Sequence, residues 1–196
     1  METNLFRSSL MAVLMVLMVL GGCSKSTDEG SMKSKAPFFD GLYLKYDVTS
    51  YSGDSAMPGH EDWSVVTIES DRFKITKESY THIEDGRQIK IMAREFIVNK
   101  NGVVTDCEIK SYKGGFCPIW IAVGNFEVGE YLRDAGMKVF EKTTWKGWDT
   151  YRISDKPKSI NFYYELDQGF LVGTDGTGLR QDLTLVENNA NIPTSY

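Results

Sequence analysis

The chain has 196 residues, 41% hydrophobic and 25% charged, with a formal net charge of −5. That is enough apolar matter for a real core, and the length points to one folded domain. Nucleic-acid binders carry a basic patch, so the acidic balance argues against a nucleic-acid partner and against electrostatic adhesion to anionic lipid head groups.

The first stretch is the most specific. Arg7 and the amino terminus make a positive start, weakened by Glu2, and Leu10 to Leu20 is an unbroken apolar run that ends in Gly21-Gly22-Cys23. A secretory signal needs a basic start, a short apolar core and small residues at the cut. A membrane-crossing helix needs roughly 20 apolar residues, and this run is shorter. Leu20-Gly21-Gly22-Cys23 resembles the lipobox of a bacterial lipoprotein. The resemblance implies that residues 1–22 are a signal peptide, that Cys23 receives a diacylglyceryl thioether, that the chain is cut before it, and that the new amino group is acylated. Each buried methylene contributes about 0.8 kcal/mol and one chain alone binds marginally, so several acyl chains on Cys23 would anchor the protein in a membrane. Ser24, rather than Asp, implies by Gram-negative sorting rules the periplasmic face of the outer membrane, provided the source is Gram-negative.

Ser24 to Lys35 is polar and small, too poor in apolar surface to offset its ordering entropy. Residues 23–36 are therefore expected to be a flexible tether, and residues 37–196 a single β domain.

From Gly41 the pattern is strand after strand. Leu42, Leu44, Tyr46 and Val48 alternate with polar neighbours, the period of a half-buried strand. Ser52 to Asp62, with Pro58 and Gly59, is expected to be a long loop. Strands follow at Trp63–Ser70 and Phe73–Ile83, and Glu84-Asp85-Gly86 turns the chain into Arg87–Val98. Alternation fails near Ala93-Arg94-Glu95, where a bulge is expected. Asn99-Lys100-Asn101-Gly102 is a turn. Val103, Thr105, Cys107 and Ile109 then share one face, and Cys117, Ile119, Ile121 and Val123 another. Gly124–Gly136 is ambiguous, with one helical turn at Glu130–Asp134 as an option. Strands resume at Met137–Trp145 and, after Lys146-Gly147, at Trp148–Ile153. Ile160–Leu166, Phe170–Asp175 and Leu179–Asn188 complete the pattern.

About ten strands with turn signals and little helix beyond the signal peptide point to an all-β antiparallel meander, curled into a half-barrel or barrel. In an exported protein Cys107 and Cys117 are expected to form a disulfide. A hairpin that sets them opposite one another also pairs Thr105 with Ile119 and Val103 with Ile121 on one face. The late stretch Phe162-Tyr163-Tyr164-Glu165-Leu166-Asp167-Gln168-Gly169-Phe170-Leu171-Val172, in a lipid-anchored chain of antiparallel strands, looks like the lipoprotein-carrier superfamily, the Lol carrier and receptor proteins and their relatives. The resemblance implies a curled sheet around an apolar cavity.

Chemical motifs are scarce. His60 and His82 read as solvated histidines near loop and hairpin ends; no H-E-x-x-H or cysteine cluster accompanies them. No nucleophile elbow is present. Glu61-Asp62 and Glu84-Asp85 read as turn acids. No cofactor or metal is implied, and no catalysis is expected. Trp63, Trp120, Trp145 and Trp148 are the candidates to line an apolar site, with core packing as the alternative. Two functions stay open: an envelope lipoprotein whose curled sheet binds an apolar ligand such as an acyl chain, or a non-catalytic structural or interaction lipoprotein with a filled core and an envelope protein as partner.

Overall fold

A computed structural model of the chain describes residues 36–52, 55–109, 112–115, 117–122, 127–130, 138–154, 160–176 and 181–194. The expected signal peptide, Cys23 and the tether as far as Lys35 lie outside the described residues, as does most of the ambiguous Gly124–Gly136 stretch. The tether was expected to include residue 36, but Ala36 is already buried in the domain.

The domain is all-β and antiparallel. Its strands are β1 (Tyr43–Ser52), β2 (Ser55–Glu69), β3 (Arg72–His82), β4 (Gln88–Asn99), β5 (Val104–Cys107), β6 (Lys138–Trp145), β7 (Trp148–Ser154), β8 (Asn161–Glu165), β9 (Leu171–Asp175) and β10 (Gln181–Asn188). They form one sheet in the order β5-β4-β3-β2-β1-β10-β9-β8-β7-β6. Two meanders, β1 to β5 and β6 to β10, are thus joined along the seam between the first strand and the last. No ladder among the described residues joins β5 to β6, so the sheet curls without closing.

Register explains which side chains go inside, because cross-strand partners share a face. One inner row runs Val139–Ile153–Phe162–Thr174–Leu183–Val48–Gly59–Thr81–Ile89 across nine strands. Further along β1 to β4, Tyr46–Glu61–Ser79–Met92 and Leu44–Trp63–Lys77–Arg94 make two more rows. Beyond these, Ile75 pairs with Val65 and Phe96, and Phe73 with Val98. The outer row opposite the first runs Glu141–Arg152–Tyr163–Gly173–Thr184–Asp47–His60–Tyr80–Lys90.

The segment after β5 fills the inner face. Trp120, 1% exposed, makes an isolated antiparallel bridge with Phe170. Leu171 N–H donates to the Ile119 carbonyl and Ile121 N–H to the Gly169 carbonyl, each at 2.9 Å. The indole Nε1 donates to the Gln168 carbonyl at 2.7 Å. The ring meets Phe38 edge-on at 5.9 Å.

The turns at Glu84–Gly86, Asn99–Gly102, Lys146–Gly147 and Asp167–Gly169 stand where composition puts them. Lys146 and Gly147 both have positive φ, 46° and 89°, the two-residue geometry that matches strand twist. Three expectations are corrected. Ser52–Asp62 is not a long loop, since β2 starts at Ser55. Pro58 lies past the last β2–β3 pair, an edge position where a missing N–H interrupts no ladder with β3. Gly59 is needed because a Cβ there would collide with the Tyr80 carbonyl oxygen. The bulge in β4 is at Ile91, between Lys90 and Met92, rather than at Ala93–Glu95. Cys117–Val123 is not a strand of a hairpin with β5; its described residues cross to β9 instead.

Gly169 has a φ of +83°, and an added Cβ would collide with the Ile121 carbonyl oxygen. Left-handed strain and overpacking together predict that Gly169→Ala lowers stability by about 3 kcal/mol. Urea unfolding checks it, and an unchanged midpoint would show that the crossing segment does not hold the turn.

Candidate functional site

The four tryptophans do not gather into one site. Trp63 lies on the inner face, stacked on Phe96 at 6.0 Å with the Lys77 ammonium 5.1 Å from its ring. Trp120 sits among Phe38, Phe170 and the β8–β9 turn. Trp145 and Trp148 flank the β6–β7 turn and stack on one another at 5.8 Å. The Trp145 ring lies over Gly173 and stacks on Tyr163 at 4.7 Å, so this turn folds over the outer face. Its Nε1 donates to Asp175 Oδ2 at 3.3 Å, and Lys146 lies 4.7 Å from its ring. The Trp148 indole donates to the Pro193 carbonyl. Trp63, Trp120 and Trp148 are all buried. The interior that Trp63 and Trp120 occupy also holds Tyr46, Phe170, Leu42, Leu44 and Ile75, while Trp148 is covered on the outer side with Trp145. The crevice beside Arg94, Phe96, Cys107, Ile109 and Tyr112 encloses a volume of about 0 Å³, against roughly 300–1,000 Å³ in ordinary ligand pockets.

The inner face is not wholly apolar. Glu61 and Lys77 are 2% and 7% exposed at the side chain and form an ion pair at 2.6 Å. Ser79 Oγ donates to Glu61 Oε1 at 3.2 Å, and Trp63 Nε1 to Oε2 at 3.4 Å. Arg94 stands opposite Lys77, and its Nη1 is buried with no hydrogen-bond partner among the described residues. Nearby, the Tyr46 hydroxyl donates to the Leu171 carbonyl at 2.8 Å, and burial holds its pKa well above the usual value. Sequence reading missed this cluster. The available signal was phase: Lys77 falls in step with Phe73 and Ile75, and Glu61 with Trp63 and Val65. Removing one partner of a buried pair leaves an uncompensated charge and costs about 3–5 kcal/mol, whereas an apolar replacement of both is often near neutral. Lys77→Met should therefore destabilise by that amount, and Glu61→Leu combined with Lys77→Met by much less. A double-mutant cycle in urea checks this, and additive losses would reject the pairing.

Glu61 and Asp62 point to opposite faces, so they form no carboxylate dyad. Asp62 belongs to an outer cluster in which it accepts from the Tyr43 hydroxyl at 2.9 Å. Its Oδ2 is 3.7 Å from Nε2 of His60. Nδ1 of His60 is 2.8 Å from Nε2 of His82, and the His60 ring stacks on Tyr80 at 4.5 Å. His60 is buried rather than a solvated loop residue. One N–H between two imidazoles requires at least one neutral acceptor nitrogen. Nδ1 of His60 is thus engaged by His82, while its Nε2 stands beyond hydrogen-bond distance of Asp62. Among the described residues no three His, Cys, Asp or Glu side chains gather closely enough to hold a metal ion. Burial lowers the His60 pKa from the usual 6.5, against an opposing pull from Asp62; Lys45 and His82 add to the lowering. In acid the unfolded chain thus takes up the proton before the folded one does, and stability falls as pH drops through 6.5 toward the folded value. Thermal unfolding between pH 8 and pH 5 should show a smaller loss for His60→Phe than for the native chain. Identical pH slopes would remove His60 as the cause.

The expected disulfide is corrected. No bond joins Cys107 to Cys117. Cys107 pairs with Phe96 in β4, and its Sγ donates to the Ile109 carbonyl at 2.9 Å. Cys117 N–H instead donates to the Gly102 carbonyl, and Val104 N–H to that of Gly115. That register carries Cys117 past β5, away from a position opposite Cys107. Burial pushes the Cys117 thiol up to about 12, which makes it a poor nucleophile. Glu84-Asp85 is a turn pair, with Asp85 accepting from Arg87.

The chain matches no family model, no curated protein and no solved structure.

Proposed function

We propose that the protein is a lipid-anchored envelope lipoprotein, non-catalytic, that works by binding another envelope protein through its sheet while its core stays filled. The observation that carries this reading is the end of the sheet formed by the β1–β2 and β3–β4 turns. There β1 to β4 outrun the packed core, and Tyr51, Met57, Ile89 and Ile91 are each 41–49% exposed. Met57 and Ile89 stand on the inner side of these strands and Tyr51 on the outer side, so both faces of this end carry exposed apolar side chains. Isolated ones are ordinary, but apolar surface concentrated at one end of a sheet is the mark of an interaction site. The anchor on Cys23, the signal peptide and a periplasmic location at the outer membrane rest on the Leu20-Gly21-Gly22-Cys23 stretch.

The second reading keeps the lipoprotein-carrier role, with an acyl chain laid against the inner row at Met92 and Ile89 and tryptophan as the reporter. The filled interior weighs against it. The test uses exported Cys23→Ser protein, purified and extracted with organic solvent, then titrated with fatty acids and phospholipids while tryptophan emission is followed. The expected result is no co-purifying acyl species and no saturable shift. A saturable shift at micromolar ligand, lost in Trp63→Phe without loss of thermal stability, would replace the interaction reading with the carrier one.

A further inference from the structure

We infer that the opposite end of the domain, carrying Phe39, Val66 and Ile68, rests on the bilayer. This rests on the proposed acylation of Cys23. Ala36 N–H donates to the Lys100 carbonyl at 2.8 Å, and Phe38 packs on Phe73 and Trp120. The chain coming from Cys23 therefore enters at the end made by the β2–β3 and β4–β5 turns. Phe39, Val66 and Ile68 are 43%, 48% and 45% exposed at that same end. They are held side by side, since Gly41 N–H donates to the Val65 carbonyl at 2.9 Å and Thr67 N–H to Asp40 Oδ1 at 2.8 Å.

Chain length argues that the bilayer is the occupant. From residue 23 to residue 36 the backbone reaches at most about 47 Å, at no more than 3.6 Å per residue. Along β2 (Ser55–Glu69) the step from Ile68 to Met57 is about 37 Å at the usual rise. The far end touches the membrane only if the linking chain is drawn out to about four fifths of its full length alongside the sheet, whereas the near end needs no such extension. Charge agrees. Arg72 pairs with Glu69, Lys74 with Glu95 and Lys100 with Asp71, at 3.1–3.2 Å. These pairs cancel, so the near end adds little to the net charge of −5 that head groups would otherwise repel. Interfacial binding grows with buried apolar area, and the anchor makes the contact intramolecular, so three side chains suffice where a free protein would dissociate.

The experiment uses the full acylated chain in liposomes of phosphatidylethanolamine and phosphatidylglycerol, with bromine on the acyl chains as a short-range quencher. Phe39→Trp and Val66→Trp add reporters at the near end and Ile89→Trp one at the far end. The near-end reporters should lose at least twice the fraction of added emission that Ile89→Trp loses. Intact mass is measured first. A mass without acyl groups overturns the anchor reading and this inference with it. An acylated protein with equal quenching at the two ends overturns the orientation alone. Near-end emission that changes with protein density and not with bromine assigns the patch to a second copy of the chain, which also overturns it.

Discussion

The structure depends on how one indole is held. Trp120 touches three parts that would otherwise separate: the N-terminal segment through Phe38, the β4–β5 turn through Gly102, and the β8–β9 turn through its bond to the Gln168 carbonyl. Among the described residues, only the β1–β10 ladder joins the two meanders of the sheet. Curling brings the outlying parts together over the inner face, and Trp120 is the side chain on which they converge. Its N–H is satisfied by a carbonyl inside the protein, which matters because an unpaired donor there would cost about 1–3 kcal/mol.

Filling the interior in this way has a consequence at the other end of the sheet. Trp120, Phe38, Phe170 and Tyr46 cover the half of the inner face nearest Ala36, and the apolar rows of β2 to β4 pack against them. Beyond that half the rows turn polar at Glu61, Lys77, Ser79 and Arg94, then run out into solvent. The buried ion pair thus marks the border between core and projecting sheet. The outer face is treated differently along its length: the Trp145-Lys146-Gly147-Trp148 turn covers β8 and β9, while the β1 to β4 part carries polar rows and the stacked His60 and Tyr80.

The proposed anchor on Cys23 would divide the surfaces of the domain by geometry. Such an anchor would set the end where the chain enters, at Ala36 and Lys100, nearest the membrane. The projecting end, with its exposed Tyr51, Met57, Ile89 and Ile91, lies about 37 Å from Ile68 along β2 by the usual strand rise. That separation lets one end lie on lipid while the other presents apolar surface to a partner.

Local chemistry was enough to determine the strand class, most strand positions and the turns at Gly86, Gly102, Gly147 and Gly169, because period-2 alternation and left-handed turn residues are properties of a few neighbouring positions. It was also enough to single out Leu20-Gly21-Gly22-Cys23, whose meaning lies in contiguous residues. Only the tertiary structure decided the rest. Pro58-Gly59 signals a loop locally, yet Gly59 serves the close approach of β3 and Pro58 sits at an edge. Cys107 and Cys117 share an apolar phase, yet the segment that carries Cys117 leaves β5 for the space beside β9. Lys77 and Glu61 read as strand charges, and their burial follows from two neighbouring strands meeting in one register. Each of these depends on residues distant in the chain arriving at one place, and curvature and register, not composition, set where they arrive.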